Sequence, residues 1–277
     1  MKIDSHQHFW LFNEERDSWI NEEMEVIKRD FMPEDLEPLL LEQDFDGCVA
    51  VQAAQDDAQT EFLLSLADQN DFIKGVVGWI DLQSSGLEEK LSTYSDKKLL
   101  KGFRHVLQDE PEDDYMLRPA FMKGVKMLAN YDYTYDILIF PRHLKNALIF
   151  AQSLKNQRLV IDHMAKPYIK DGLIDDWKRD IQAFKGLDHV SCKVSGIITE
   201  ADWHHWRQED LRPYLDVAFE VFGTSRLMFG SDWPVSLLAG NYPEVTAVLN
   251  RYLESFSKDE KDKIMGGNAT RFYKLSE

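Results

Sequence analysis

Basic residues are in short supply in this chain: 32 Lys and Arg stand against 49 Asp and Glu, a net charge of −17. Nucleic acid and anionic membrane both demand a basic footprint, so neither is expected as a partner. Cysteine is scarcer still. Cys48 and Cys192 each lie inside an apolar run, which excludes a disulfide scaffold and points to buried, reduced thiols in a cytoplasmic protein. No apolar stretch approaches the length of a membrane span, and the opening residues lack the basic-then-apolar order of a signal peptide. Repeats, low-complexity segments and linker-like runs are missing too, so a single domain over residues 1–277 is expected.

What is present is regular alternation. Near-continuous apolar runs of the kind found in strands buried on both faces occur at 47–52, 75–80, 101–106, 135–140, 158–163, 189–195 and 226–232. A shorter one opens the chain at Met1–Asp4. Between them, apolar residues recur at helical spacing, as at Phe62, Leu63, Leu66 and Ala67, or Phe121, Val125 and Leu128. Two further helices close the chain. Strands alternating with helices predict a parallel sheet with both faces covered. Eight such units in 277 residues match an α/β fold of the (β/α)8 TIM-barrel type, with an open doubly wound sheet as the other topology.

In such a barrel the site lies where the strands end, and here the strands end in polar residues. The first runs into His6 and His8, two residues apart and therefore on one strand face. Two imidazoles so placed can chelate a divalent ion or grip a substrate oxygen. The third ends near Trp79, a candidate sugar-stacking residue, and the fourth in Arg104 and His105, of which alternation sends at least one to the mouth. The sixth ends in Asp162 and His163, the seventh in Lys193 and Ser195, and the eighth in Asp232-Trp233-Pro234. His143 and His189 fall away from the mouth and read as structural. His204 and His205 read as surface, and Trp10 and Trp19 as anchors of the irregular stretch 9–30.

Six segments together resemble the amidohydrolase superfamily, and within it the group of sugar-lactone and pyrone-dicarboxylate lactonases. They are Ile3-Asp-Ser-His-Gln-His-Phe-Trp10, Val77-Gly-Trp-Ile-Asp-Leu82, Gly102-Phe-Arg-His105, Ile161-Asp-His163 with Lys166-Pro167, Lys193-Val-Ser-Gly196, and Met228-Phe-Gly-Ser-Asp-Trp-Pro-Val235. The resemblance, closest to hydrolases of L-fucono- and L-rhamnono-lactones, implies hydrolysis of a sugar aldonolactone to the free acid. It implies His6, His8, His163 and Asp232 as possible ligands of one divalent ion, zinc foremost, although the group also contains metal-free members. Many relatives bridge two ions with a carboxylated Lys at the end of the fourth strand; Arg104-His105 stands there instead, so one ion at most is expected.

On this reading Asp232 takes the proton of the attacking water, and His163 with Arg104 or His105 steadies the developing oxyanion. Trp79, Lys193, Lys166 and Trp233 contact the substrate. A neutral lactone suits an acidic chain, whereas a dicarboxylate would need several arginines at the mouth. A metal-dependent decarboxylase of the same superfamily, or a sugar-acid binding protein without turnover, are the alternative functions.

Overall fold

The computed structural model describes residues 1–276. Each apolar run forms a strand: β1 (Ile3–Gln7), β2 (Gly47–Val51), β3 (Ile73–Gly78), β4 (Leu100–His105), β5 (Thr134–Ile137), β6 (Leu159–Ile161), β7 (Val190–Val194) and β8 (Leu227–Phe229). They pair in parallel in chain order. The seam is closed by the chain just past β8: the Asp232 amide donates to the His6 carbonyl and the His8 amide to the Trp233 carbonyl, both at 2.8 Å. The sheet is a barrel, and the open-sheet alternative falls.

Helices α1 (Pro33–Glu42), α2 (Asp57–Ala67), α3 (Leu87–Thr93), α4 (Pro119–Leu128), α5 (Leu144–Ser153), α6 (Asp175–Gln182), α7 (Gln208–Phe222) and α8 (Tyr242–Tyr252) follow the strands in turn. Local chemistry sets their starts. Asp56 accepts from the Gln59 amide at 2.7 Å to cap α2, and Asn241 with Glu244 closes a reciprocal box on α8. No helix among the described residues is long and apolar enough to cross a membrane.

Two apolar layers result. The larger lies between the sheet and its helices. The smaller fills the lower lumen with Ile3, Val49, Val51, Val77, Val160 and Met228, sealed from below by α10 (Asn268–Tyr273), which follows α9 (Lys258–Asp262). Fully burying each such side chain contributes roughly 1.5–3 kcal/mol. The bottom of the barrel is thus a dry plug, and polar residues gather above it.

One irregularity sets the site. Ile3 faces the lumen and Asp4 faces α8, so strict alternation would turn His6 outward. The β1–β2 register shifts between Asp4 and Gln7, and the shift returns His6 to the lumen while Gln7 points out to the Cys48 thiol.

Candidate active site

Above the plug lies a buried ionic layer. Lys193 Nζ stands 2.6 Å from Asp136 Oδ2, 3.0 Å from Asp162 Oδ1 and 3.0 Å from His6 Nδ1, with all four side chains excluded from solvent. Arg104 donates to Asp162 Oδ2 at 3.1 Å, lies 3.2 Å from His6 Nε2 and also donates to the Gln52 carbonyl. Tyr273, rising from α10, donates to Asp136 Oδ2 at 2.7 Å. Two carboxylates therefore face one ammonium and one guanidinium, so the layer balances its own charge. Burial pushes the Asp136 carboxyl up to about 6. Burial acts on Asp162 likewise, but Lys193, His6 and Arg104 overcome it and hold Asp162 well below the usual carboxylate range.

On this layer rests a triangle of ligand atoms. His6 Nε2 is 3.2 Å from His8 Nε2, and Asp232 Oδ1 is 3.8 Å and 3.4 Å from these two nitrogens. Donors about 2.1 Å from a tetrahedral zinc ion stand roughly 3.4 Å from one another, so the spacing fits one such ion. The donor chemistry fits too. His8 Nδ1 lies 2.8 Å from the Val51 carbonyl, which can only accept, so its proton is on Nδ1 and the Nε2 lone pair is turned into the triangle. Burial, then Lys193, push the His6 imidazole well below its ordinary value, leaving it neutral. Asp232 is buried, which raises a carboxyl, yet the imidazoles of His163, His8 and His6 around it keep it ionised well below its usual range.

His163 completes the group, its Nε2 3.9 Å from Asp232 Oδ1 and its Nδ1 2.9 Å from Ser195 Oγ. Burial lowers this imidazole to about 4. It is carried on an unusual turn: His163, Met164, Ala165 and Lys166 have φ of 52°, 52°, 59° and 50°, one left-handed turn without a glycine. Each such residue costs on the order of 1–2 kcal/mol. The turn is held by Trp177 of α6, whose Nε1 donates to the Met164 carbonyl at 2.8 Å, and by the Lys166 amide donating to the His163 carbonyl. Its effect is to aim His163 and Lys166 into the same cavity. Gly196, at φ +61°, lies beneath; a Cβ there would come within 2.8 Å of His163 Nδ1.

The cavity at the mouth holds about 540 Å³ and is lined by His8, Arg104, His163, Lys166 and Asp232, with Trp10, Trp19 and Trp203 on its wall. Four residues expected to touch substrate or reacting atoms are placed elsewhere. His105 alternates outward from Arg104; its ring stacks on Tyr115 at 5.2 Å and its Nε2 meets Glu110 at 2.6 Å. Trp79 goes with it, donating to His105 Nδ1 at 3.4 Å. Trp233 is turned out past Asp232 (φ +59°) and packs edge-on against Phe9 and Phe31. Lys193 is in the lumen but beneath His6, where it organises the site's floor. Trp10 and Trp19 line the cavity as well as anchoring their loop, while His205 is 81% exposed, a surface residue.

The roles of three buried acids were missed. Asp136 and Asp162 form the floor, and Asp4 ties β1 to the exit of β8 by accepting from the amides of His6 (3.1 Å) and Ser231 (2.9 Å). A carboxylate inside a buried strand, as in Tyr135-Asp-Ile137, is the signal that could have found them, because it needs a partner such as Lys193. Glu200, 3.9 Å from Lys166 on the cavity wall, was missed for want of any periodic signal.

Residues 3–275 match the profile of the amidohydrolase family. The chain belongs to that family. It is 42% identical to an L-fucono-1,5-lactonase of Burkholderia multivorans, covering 100% of this chain and 97% of the relative, and 36% identical to one of Burkholderia ambifaria, covering 99% and 96%. A crystal structure of a Burkholderia multivorans amidohydrolase with bound zinc superposes with a TM-score of 0.97 at 39% identity over 100% of both chains. The amidohydrolase fold, a metal-competent triangle and full-length similarity to lactonases thus coincide in one chain.

Proposed function

We propose that this amidohydrolase hydrolyses a neutral sugar lactone of the L-fucono type, opening the ring to the free sugar acid. The observation that carries the reading is the ionised Asp232 carboxylate held 3.4–3.9 Å from the nitrogens of His6, His8 and His163 at the base of a sugar-sized cavity. Full-length similarity to proteins named L-fucono-1,5-lactonase supports the substrate class.

The wall favours a neutral ligand. Arg104 is engaged by Asp162 and the Gln52 carbonyl, Arg16 by Asp17 at 2.7 Å, and Lys166 faces Glu200. Asp56, Asp109, Glu200 and Asp232 also face the cavity, so a dicarboxylate would meet more negative charge than free positive charge. Hydroxyl groups suit this alternation of donors and acceptors, and Trp10 and Trp203 offer flat apolar faces to a ring.

Asp232 accepts the proton of the attacking water and returns it to the ring oxygen as the ester bond breaks. His163, with Nδ1 against Ser195, presents Nε2 to the same space and orients the water or the opened oxyanion. Arg104 keeps His6 in register from the side. His6, His8 and Asp232 would hold a divalent ion, which would supply Lewis acidity and lower the pKa of water. We place the enzyme in the cytoplasm, where its two free buried thiols remain reduced.

Proton release from a panel of aldonolactones, followed with a pH indicator with and without chelator, tests the reading. L-fucono-1,5-lactone should be turned over fastest. Release of carbon dioxide from an unsaturated acid, without lactone opening, would replace it with the decarboxylase reading.

A further inference from the structure

We propose that Lys166 and Glu200 form a two-point clamp for one ring hydroxyl of the lactone, and that this clamp decides which hydroxylated lactones the enzyme accepts. The inference rests on the sugar-lactone reading and deepens it. The two side chains come from different loops of the barrel mouth. Lys166 ends the left-handed turn after β6, with φ of 50° and its amide donating to the His163 carbonyl at 2.8 Å. Glu200 follows β7; its carbonyl accepts from the Lys170 amide at 2.9 Å, which ties the two loops together. Trp203 steadies the same stretch, its Nε1 donating to the Thr199 carbonyl at 2.9 Å. Both Lys166 and Glu200 line the cavity that holds Asp232.

The pair is unfinished. Lys166 Nζ stands 3.9 Å from Glu200 Oε1, although each side chain is only about one-fifth exposed. A closed ammonium–carboxylate contact is about 2.7–2.9 Å long, and the buried Lys193–Asp136 pair reaches 2.6 Å. The Lys166 ammonium otherwise lies 5.5 Å above the Phe140 ring. Burial pushes the Glu200 carboxyl up; Lys166 offsets only part of the rise, and Asp232 adds to it. Two charged groups thus reach into the cavity without completing each other.

An ammonium has only hydrogens to give and a carboxylate only lone pairs. A guest that completes both must accept and donate through one atom, which a hydroxyl does. The carbonyl and ring oxygens of a lactone only accept, so neither can serve both partners. An oxygen about 2.8 Å from each partner bridges the 3.9 Å gap with an angle of roughly 90° at the oxygen, and neither side chain has to move. A carboxylate guest would meet Glu200 and an ammonium guest Lys166, so the clamp also selects against charge. Hydrogen bonds to charged groups in a sheltered wall make loss of that hydroxyl worth about 10–100-fold in kcat/KM.

Proton release by the wild-type enzyme from L-fucono-1,5-lactone and from its 2-, 3- and 4-deoxy analogues provides the test. One analogue should fall about 10–100-fold below the parent in kcat/KM, chiefly through KM. The double variant Lys166→Met/Glu200→Leu removes both charges together and leaves the net charge unchanged. On it the parent should drop to within about threefold of that analogue, while the other two keep their wild-type ratios to the parent. Glu200→Gln keeps an accepting oxygen without the charge, so the same analogue should stay the poorest by a smaller factor. Three analogues within about threefold of one another on wild type would overturn the clamp and leave the lactonase reading intact. So would an undiminished preference in Glu200→Gln or in the folded double variant. No turnover of any of these lactones by wild type would overturn both.

Discussion

Asp4 offers a test in which the sign of a pH effect is set by the structure. Its carboxyl is wholly buried, with Oδ1 accepting from the amides of His6 and Ser231 and Oδ2 from the Tyr242 hydroxyl at 3.0 Å. These partners are all uncharged, so burial dominates and raises the group from 3.8 to about 6. A folded-state value above the unfolded one means that the native protein binds the proton more tightly. The contribution is fully present below the unfolded value and is lost as pH rises through about 6. The loss sums to about 3 kcal/mol, roughly half of it between pH 5 and pH 8. Asp4→Asn keeps an oxygen for the two amides and an NH2 for Tyr242 but cannot ionise. Urea denaturation in chelator across that range should show the variant gaining on wild type as pH rises, by about 1–2 kcal/mol. Lactonase turnover should stay within a few-fold, because the β1–β8 tie is kept. A variant less stable than wild type at pH 8, or with the same pH slope, would refute the reasoning.

Other outcomes follow from the placement of single residues. His105→Ala, which removes a ring stacked on Tyr115 outside the barrel, should lower thermal stability while leaving kcat within about threefold. Lys166→Met should raise KM by about tenfold with little change in kcat, since Lys166 faces the cavity beside Glu200 rather than the ligand triangle; an equal fall in kcat and kcat/KM would move it into the chemistry. Ala165→Gly, at φ +59°, should stabilise by about 0.5–1 kcal/mol in thermal or urea melts, relief of the left-handed strain exceeding the added chain entropy.

Much of this was legible because the strands of a covered parallel sheet read as apolar runs and their ends as polar residues. All eight runs became strands in order, and His8, Arg104, His163, Lys166 and Asp232 line one mouth, with His6 buried at its base. The failures have separate physical causes. Arg104 and His105 are adjacent, and period-two alternation assigns one to each face without saying which. The turn from His163 to Lys166 carries no Gly or Asn to announce positive φ; tertiary contacts with Trp177 and Ser195 impose it. Lys193 was read as a substrate contact because depth within a barrel is a three-dimensional property. Asp4 and Asp136 looked like interruptions of strands and Asp162 like a polar strand end, and their partners lie dozens of residues away.

The central claim is that Asp232, at the His6–His8–His163 cluster, drives lactone opening. Proton release from L-fucono-1,5-lactone by wild type and Asp232→Asn, on protein shown by circular dichroism to be folded, measures it directly. The account predicts a fall in kcat of about 10²–10⁴ with the fold retained. Turnover near wild type in a folded Asp232→Asn protein would contradict it.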